Sequence, residues 1–120
     1  MSIEAFRWAK TWGELTSAQK FVLLMIADHY NDRWRRSWPS IATLARETSL
    51  GESTVKRSIR ALREMGLIEV ETWFDASTGK NMSNRYCLPL YDDRSVASTK
   101  PRAGTYNRGE LVDEGRDPAA

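Results

Sequence analysis

Lys56, Arg57, Arg60 and Arg63 fall within eight residues of one another with no acid between them. At about 100° per residue they share an arc with Ser53 and Thr54, provided Val55, Ile59 and Leu62 turn inward. Cationic groups gathered on one helix face are the footprint of a polyanion, and a local stripe says more about this than overall charge does. Arg57, near the helix start, carries the planar fork that pairs two-fold with guanine. Lys56, Arg60 and Arg63 suit phosphates, while Ser53 and Thr54 can donate to phosphate or touch a thymine methyl. A merely solvated helix would also carry such a stripe, with Arg60 and Glu64 as an ordinary i,i+4 pair.

Residues suited to catalysis are sparse. Cys87 is the only cysteine and His29 the only histidine. One cysteine allows no intramolecular disulfide, and without a CxxC partner it offers no zinc spacing. Cys87 sits in Tyr86-Cys87-Leu88 and reads as a small core hydrophobe. His29 reads as a helix-end residue, favoured there when protonated by the negative end of the dipole. Glu69 and Glu71 alternate on a strand and are expected to face water. With no phosphate loop, triad or metal spacing, the sequence predicts no enzyme and no cofactor.

The elements that would position the cationic stripe are legible around it. Thr16-Ser17-Ala18-Gln19 has the form of a capping box. Phe21, Val22, Leu24, Met25 and Ile26 follow on one broad face, which predicts a helix over about 17–30. Pro39 makes Trp38 extended, and Ser40 can cap a short helix carrying Ile41, Leu44 and Ala45. Thr48-Ser49-Leu50-Gly51 reads as a turn with Gly51 as the next N-cap. The third helix, about 52–65, has Val55, Ile59, Leu62 and Met65 as one inward stripe. Gly66 is placed to end it in the left-handed conformation. Residues 67–74 alternate apolar and polar, 75–84 have loop composition, and 85–90 read as a return strand that Pro89 marks as lying at an edge or about to end.

Residues 1–91 carry 13 Lys and Arg against 10 Asp and Glu, whereas 92–120 carry 5 against 6 and almost no apolar pattern. The first segment is expected to be the domain and 92–120 a disordered polar tail. No run approaches the roughly 18 apolar residues of a membrane span. Met1-Ser2-Ile3-Glu4 lacks the layout of a signal peptide, so a cytoplasmic location is expected.

Two helices joined by a tight turn, the second basic on its open face, form a helix-turn-helix signature. The segments Trp38–Ala45, Ser53–Arg57 and Leu62–Ile68, with Trp8 and Leu23–His29 before them, resemble the winged helix-turn-helix domains of phage and plasmid replication initiators and phage regulators. The resemblance covers about residues 1–90. It implies an α+β fold, a three-helix bundle with a two- or three-stranded β-wing, to which Trp38 can add the third strand. It implies sequence-specific binding of double-stranded DNA by a transcriptional regulator or replication accessory factor. The hairpin after the third helix would be the wing, presenting Lys80, Asn81, Asn84 and Arg85 to the backbone or minor groove. The chain's end at 120 favours a stand-alone protein over a full initiator. The sequence departs from the usual pattern at Gly51, where a Ser cap is common, and in Arg33-Trp34-Arg35-Arg36.

That insertion has two readings. Arg33, Arg35 and Arg36 grip phosphates flanking the site, with Ser40 adding a donor, or the segment is a solvated loop with Trp34 covering the core. Trp8, Trp12, Trp38 and Trp73 are expected in the core or a subunit contact rather than stacked on bases. A winged helix that binds protein instead of DNA is the rival class, but it would show apolar or acidic residues where Lys56, Arg57, Arg60 and Arg63 stand. A DNA mimic would need an acidic face. A homodimer, and a protein partner for the tail, are left open.

Overall fold

The computed structural model describes residues 1–92 and the pair Thr105–Tyr106. Four helices come first: α1 (Ile3–Lys10), α2 (Ser17–Asp28), α3 (Ile41–Thr48) and α4 (Glu52–Glu64). Strands β1 (Glu69–Glu71), β2 (Phe74–Asp75) and β3 (Arg85–Cys87) follow, then the short α5 (Pro89–Asp92) and β4 (Thr105–Tyr106). A helical bundle followed by a small antiparallel hairpin is the winged helix-turn-helix form of an α+β fold.

The helix ends are set by local chemistry. At α2, Thr16 Oγ1 accepts from the Gln19 N–H at 3.1 Å, and Gln19 Oε1 accepts from the Thr16 N–H at 3.1 Å. This is the expected capping box, which satisfies two orphan donors at once. Ser40 Oγ accepts from the Thr43 N–H at 3.0 Å and starts α3. At the end of α4, Gly66 takes φ +79°. Its N–H bonds the Arg63 carbonyl, and the Leu67 N–H bonds the Leu62 carbonyl, both at 3.0 Å. That paired closure, with Leu62 and Leu67 both buried, ends the helix and turns the chain toward β1.

Helix α1 adds a fourth member to the bundle. Ser2 caps it, accepting from the Ala5 N–H at 3.0 Å, and Ala5, Trp8 and Ala9 are buried. Two of those three are alanines, so the stripe is hard to read from sequence. The Trp8 ring meets Trp12 and Tyr91 at 5.8 Å each, and Tyr91 meets Tyr30 edge-on at 5.7 Å. Val22, Leu23, Ile26 and Ala27 of α2, Leu44 of α3, and Val55 and Leu62 of α4 complete the core. Trp8, Trp38 and Trp73 are buried and Trp12 is half-buried, which is the packing role expected of them.

The hairpin pairs β1 with β3 antiparallel, with Glu69 opposite Cys87, Val70 opposite Tyr86 and Glu71 opposite Arg85. Ser37 and Tyr86 exchange two backbone hydrogen bonds, of 2.9 and 2.7 Å. The third strand expected at Trp38 is thus a single bridge one residue earlier, at Ser37. Phe74 bridges Asn81, and β4 pairs in parallel with β2, Phe74 opposite Thr105 and Asp75 opposite Tyr106. Pro89 opens α5, where a missing N–H costs nothing. Asp92, which composition assigns to the tail, closes that helix. Of the rest of the expected disordered tail, Thr105–Tyr106 form β4 against β2, and residues 93–104 and 107–120 lie outside the described residues.

Candidate nucleic-acid interface

The turn between α3 and α4 is built from its own side chains. Thr48 Oγ1 donates to the Leu44 carbonyl at 2.6 Å and accepts from the Leu50 N–H at 3.3 Å. Ser49 sits in the left-handed region at φ 60°. Gly51 follows as N-cap with ordinary φ of −69° and no side-chain cap. The first-turn N–H groups of α4 therefore keep their positive dipole end toward whatever approaches, a setting favourable to anions.

Along α4, Val55, Ser58 and Leu62 are buried and Ile59 is half-buried. Ser53, Lys56, Arg57, Arg60 and Arg63 are exposed and Thr54 is partly so. The six side chains predicted to share an open arc do share it. Arg57 Nη2 donates to Thr54 Oγ1 at 3.2 Å, which lays the guanidinium along the first turn of the helix. Two details differ from the sequence pattern. Ser58 completes the inward stripe, and Met65 leaves it, being 48% exposed at the helix end. The closing turn at Gly66 carries the chain away before Met65 can turn inward.

The wing tip is a compact turn. The Gly79 N–H bonds the Asp75 carbonyl at 2.8 Å, and the Asp75 N–H bonds the Lys80 carbonyl at 2.8 Å. Asp75 Oδ1 accepts from the Ser77 N–H and hydroxyl at 2.8 and 2.7 Å, so this acid shapes the turn. Lys80, Asn81 and Asn84 are exposed. The Asn84 side chain also hydrogen-bonds Tyr86, whose phenol burial pushes up to about 12.

Arg85, expected beside them, requires correction. It is 1% exposed, and its guanidinium stacks 5.0 Å from the Trp73 ring and 5.1 Å from the Trp38 ring. Its Nη1 donates to the Ser83 carbonyl at 3.1 Å. Buried against two indoles, Arg85 is not open to a phosphate.

Loop 31–36 sorts its arginines the same way. Asn31 organises it: its side-chain oxygen accepts from the Arg33 and Trp34 N–H groups at 3.0 and 2.9 Å. The Arg36 carbonyl accepts from the Asn31 N–H at 2.9 Å, and Arg35 adopts φ 55°. Arg33 is exposed and Arg35 partly so. Arg36 is 2% exposed; its Nε donates to Glu71 Oε1 at 2.7 Å, and its guanidinium lies 5.5 Å from the Trp73 ring. The phosphate grip expected of Arg36 is corrected accordingly. So is the outward Glu71: half-buried, it accepts from Arg36 and from Trp73 Nε1 at 3.1 Å. Ser40 is occupied in capping α3 and also donates to Thr43 Oγ1 at 3.0 Å.

His29 is the C-cap of α2, with Nε2 2.7 Å from Glu47 of α3. Cys87 is buried in β3. Tyr30, absent from the predicted site and core, is fully buried; burial first, then the charge of Asp92, raises its pKa above the usual phenol value. Among the described residues no group of three or more His, Cys, Asp or Glu is placed to hold a metal ion. None of the described helices is long and apolar enough to cross a membrane.

No curated protein and no solved structure matches the chain. Residues 13–68 match a family model described as a helix-turn-helix domain. The matched segment runs from the entry to α2 through α4 to the first residues after its closing turn, and β1 and β3 supply the wing just beyond it. Such domains bind DNA or protein and do not catalyse. Residues 13–68 are thus similar to a helix-turn-helix family, and with the β1–β3 hairpin the fold is a winged helix-turn-helix.

Proposed function

We propose that the protein binds double-stranded DNA sequence-specifically, with α4 in the major groove, as a cytoplasmic regulator or replication accessory factor of phage or plasmid type. One observation carries this reading: Lys56, Arg57, Arg60 and Arg63 all emerge on the solvent face of the second helix of the helix-turn-helix. Phosphate contacts dominate such affinity and release counterions. With Lys80, Arg33 and Arg35 contributing, about four to six neutralised phosphates give a slope of log K against log salt of roughly −4 to −5. Titrating a fluorescent random-sequence duplex across salt concentrations measures it, and a slope near zero removes the reading. Selection of bound sequences from a random pool then supplies the motif and, through its symmetry, tests a homodimer.

A second reading has its own support. Trp12, Leu15, Met65, Leu67 and Leu90 line a cleft of about 220 Å³, in which Met65 and Leu90 are exposed. An apolar surface of this kind suits a protein contact. It includes no residue of the α4 cationic arc, so contact with a protein partner there is compatible with DNA on α4.

A further inference from the structure

The strongest cluster of buried charge outside the α4 face is a cation–π stack of Trp38, Arg85, Trp73 and Arg36. The Arg85 guanidinium lies 5.1 Å from the Trp38 ring and 5.0 Å from the Trp73 ring, and that of Arg36 lies 5.5 Å from the Trp73 ring. Its chain positions give it meaning. Trp73 is at the neck of the wing, where its carbonyl accepts from the Met82 N–H at 2.8 Å and its indole N–H donates to Glu71. Arg85 is directly across the sheet from Glu71. Trp38 lies two residues before Ser40, the cap of the first helix of the helix-turn-helix. The stack therefore joins the wing neck to the segment that launches α3 and α4.

We propose that Arg85 is a positioning residue for DNA binding: packed against both Trp38 and Trp73, it holds the wing at a fixed angle to α4, so that Lys80 meets the phosphate backbone while α4 occupies the groove. This rests on the DNA-binding reading above. A guanidinium suits the task because its flat face stacks on both indoles, which an ammonium on a flexible stem does not do. Burial removes the water that would otherwise weaken the contact. Arg85 thereby acts on DNA through Lys80 and touches none itself.

A double-mutant cycle on the full chain tests this, using a random-sequence duplex as probe. Lys80→Ala is expected to flatten the salt slope by about 0.9, one phosphate contact. Arg85→Lys, which keeps the charge, is expected to flatten it by the same amount, and Lys80→Ala added to Arg85→Lys to change nothing further. Circular dichroism confirms that each variant is folded. Should Arg85→Lys not fold, Trp38→Phe thins the stack from the other side and takes its place in the cycle. A full Lys80→Ala effect persisting in the Arg85→Lys or Trp38→Phe background overturns the proposal, as does a wild-type slope indifferent to Lys80. If the unmodified chain shows no salt-dependent DNA binding at all, the DNA reading itself has failed, which is a different result.

Discussion

The Tyr30 hydroxyl, just past the end of α2, stands 2.7 Å from the carboxylate of Asp92, the last residue of α5. The same hydroxyl lies 2.7 Å from the Arg35 carbonyl and accepts from the Leu88 N–H at 3.2 Å. One buried phenol thus ties the helical bundle, the arginine loop and the end of the hairpin together. Tyr30→Phe keeps the ring but strips these partners, and an unsatisfied buried group costs about 1–3 kcal/mol. Urea unfolding is expected to show a loss in that range. A chain ending at Asp92 is expected to melt within a few degrees of the full chain, and Asp92→Ala clearly lower. Equal melting of Asp92→Ala and the unmodified chain would show that the contact contributes nothing.

The buried phenols also set a limit in alkali. Tyr30 and Tyr86 have folded pKa values raised above the ordinary 10, chiefly by burial, Tyr86 to about 12. Below pH 10 both are protonated in either state and stability is indifferent to them. Above it the unfolded chain releases protons that the folded chain retains, so stability falls as pH rises. For Tyr86 the loss grows between pH 10 and about 12 and amounts to on the order of 2 kcal/mol. Denaturation midpoints measured from pH 8 to 11 are expected to be flat at first and then to drop. Tyr86→Phe is expected to soften the drop.

Gly51 caps α4 with an ordinary φ and nothing within 4 Å of where a Cβ would stand. Gly51→Ser adds the missing acceptor for the first turn and restricts the unfolded chain. A gain of about 0.5 kcal/mol is expected in thermal unfolding. An unchanged or lower melting temperature would show that the first turn already has its partners.

Arg57 and its neighbours on α4 divide into reading and holding roles. Arg57→Ala loses no buried contact, so the melting temperature is expected to stay put. It is expected to weaken cognate binding by about 1–3 kcal/mol and to relax preference at one base pair, a guanine. Lys56→Ala and Arg63→Ala are expected to weaken cognate and scrambled duplexes alike, because phosphate contacts carry no sequence information. Equal loss on both duplexes for Arg57→Ala would make Arg57 a phosphate contact.

Arg35 and Arg36, adjacent in sequence, are expected to respond oppositely. Arg36→Ala strands Glu71 and uncovers one side of Trp73, at a cost of about 2–3 kcal/mol in stability. Arg35→Ala is expected to leave stability nearly unchanged and to flatten the salt slope by up to about 0.9. A stable Arg36→Ala variant with a flattened slope would reverse the assignment.

What the sequence determined by itself was short-range. The Thr16–Gln19 box, the Ser40 cap, the left-handed Gly66 and the outward Lys56, Arg57, Arg60 and Arg63 all follow from partners three to five residues apart, held by the geometry of one helix. The short α1 escaped because its inward residues Ala5 and Ala9 are too small to mark a stripe beside Trp8. Only the tertiary structure decided which arginines face water. Arg33, Arg35 and Arg36 have the same chemistry and nearly the same neighbours, yet Arg36 is claimed by Glu71, 35 residues away. Arg85 sits on a strand between residues of ordinary loop and sheet character, and nothing adjacent marks it as buried. Its place is set by Trp38 and Trp73, which the fold brings against it. A buried cation is stable only where partners from elsewhere in the chain replace its water, and that replacement is a property of the assembled fold.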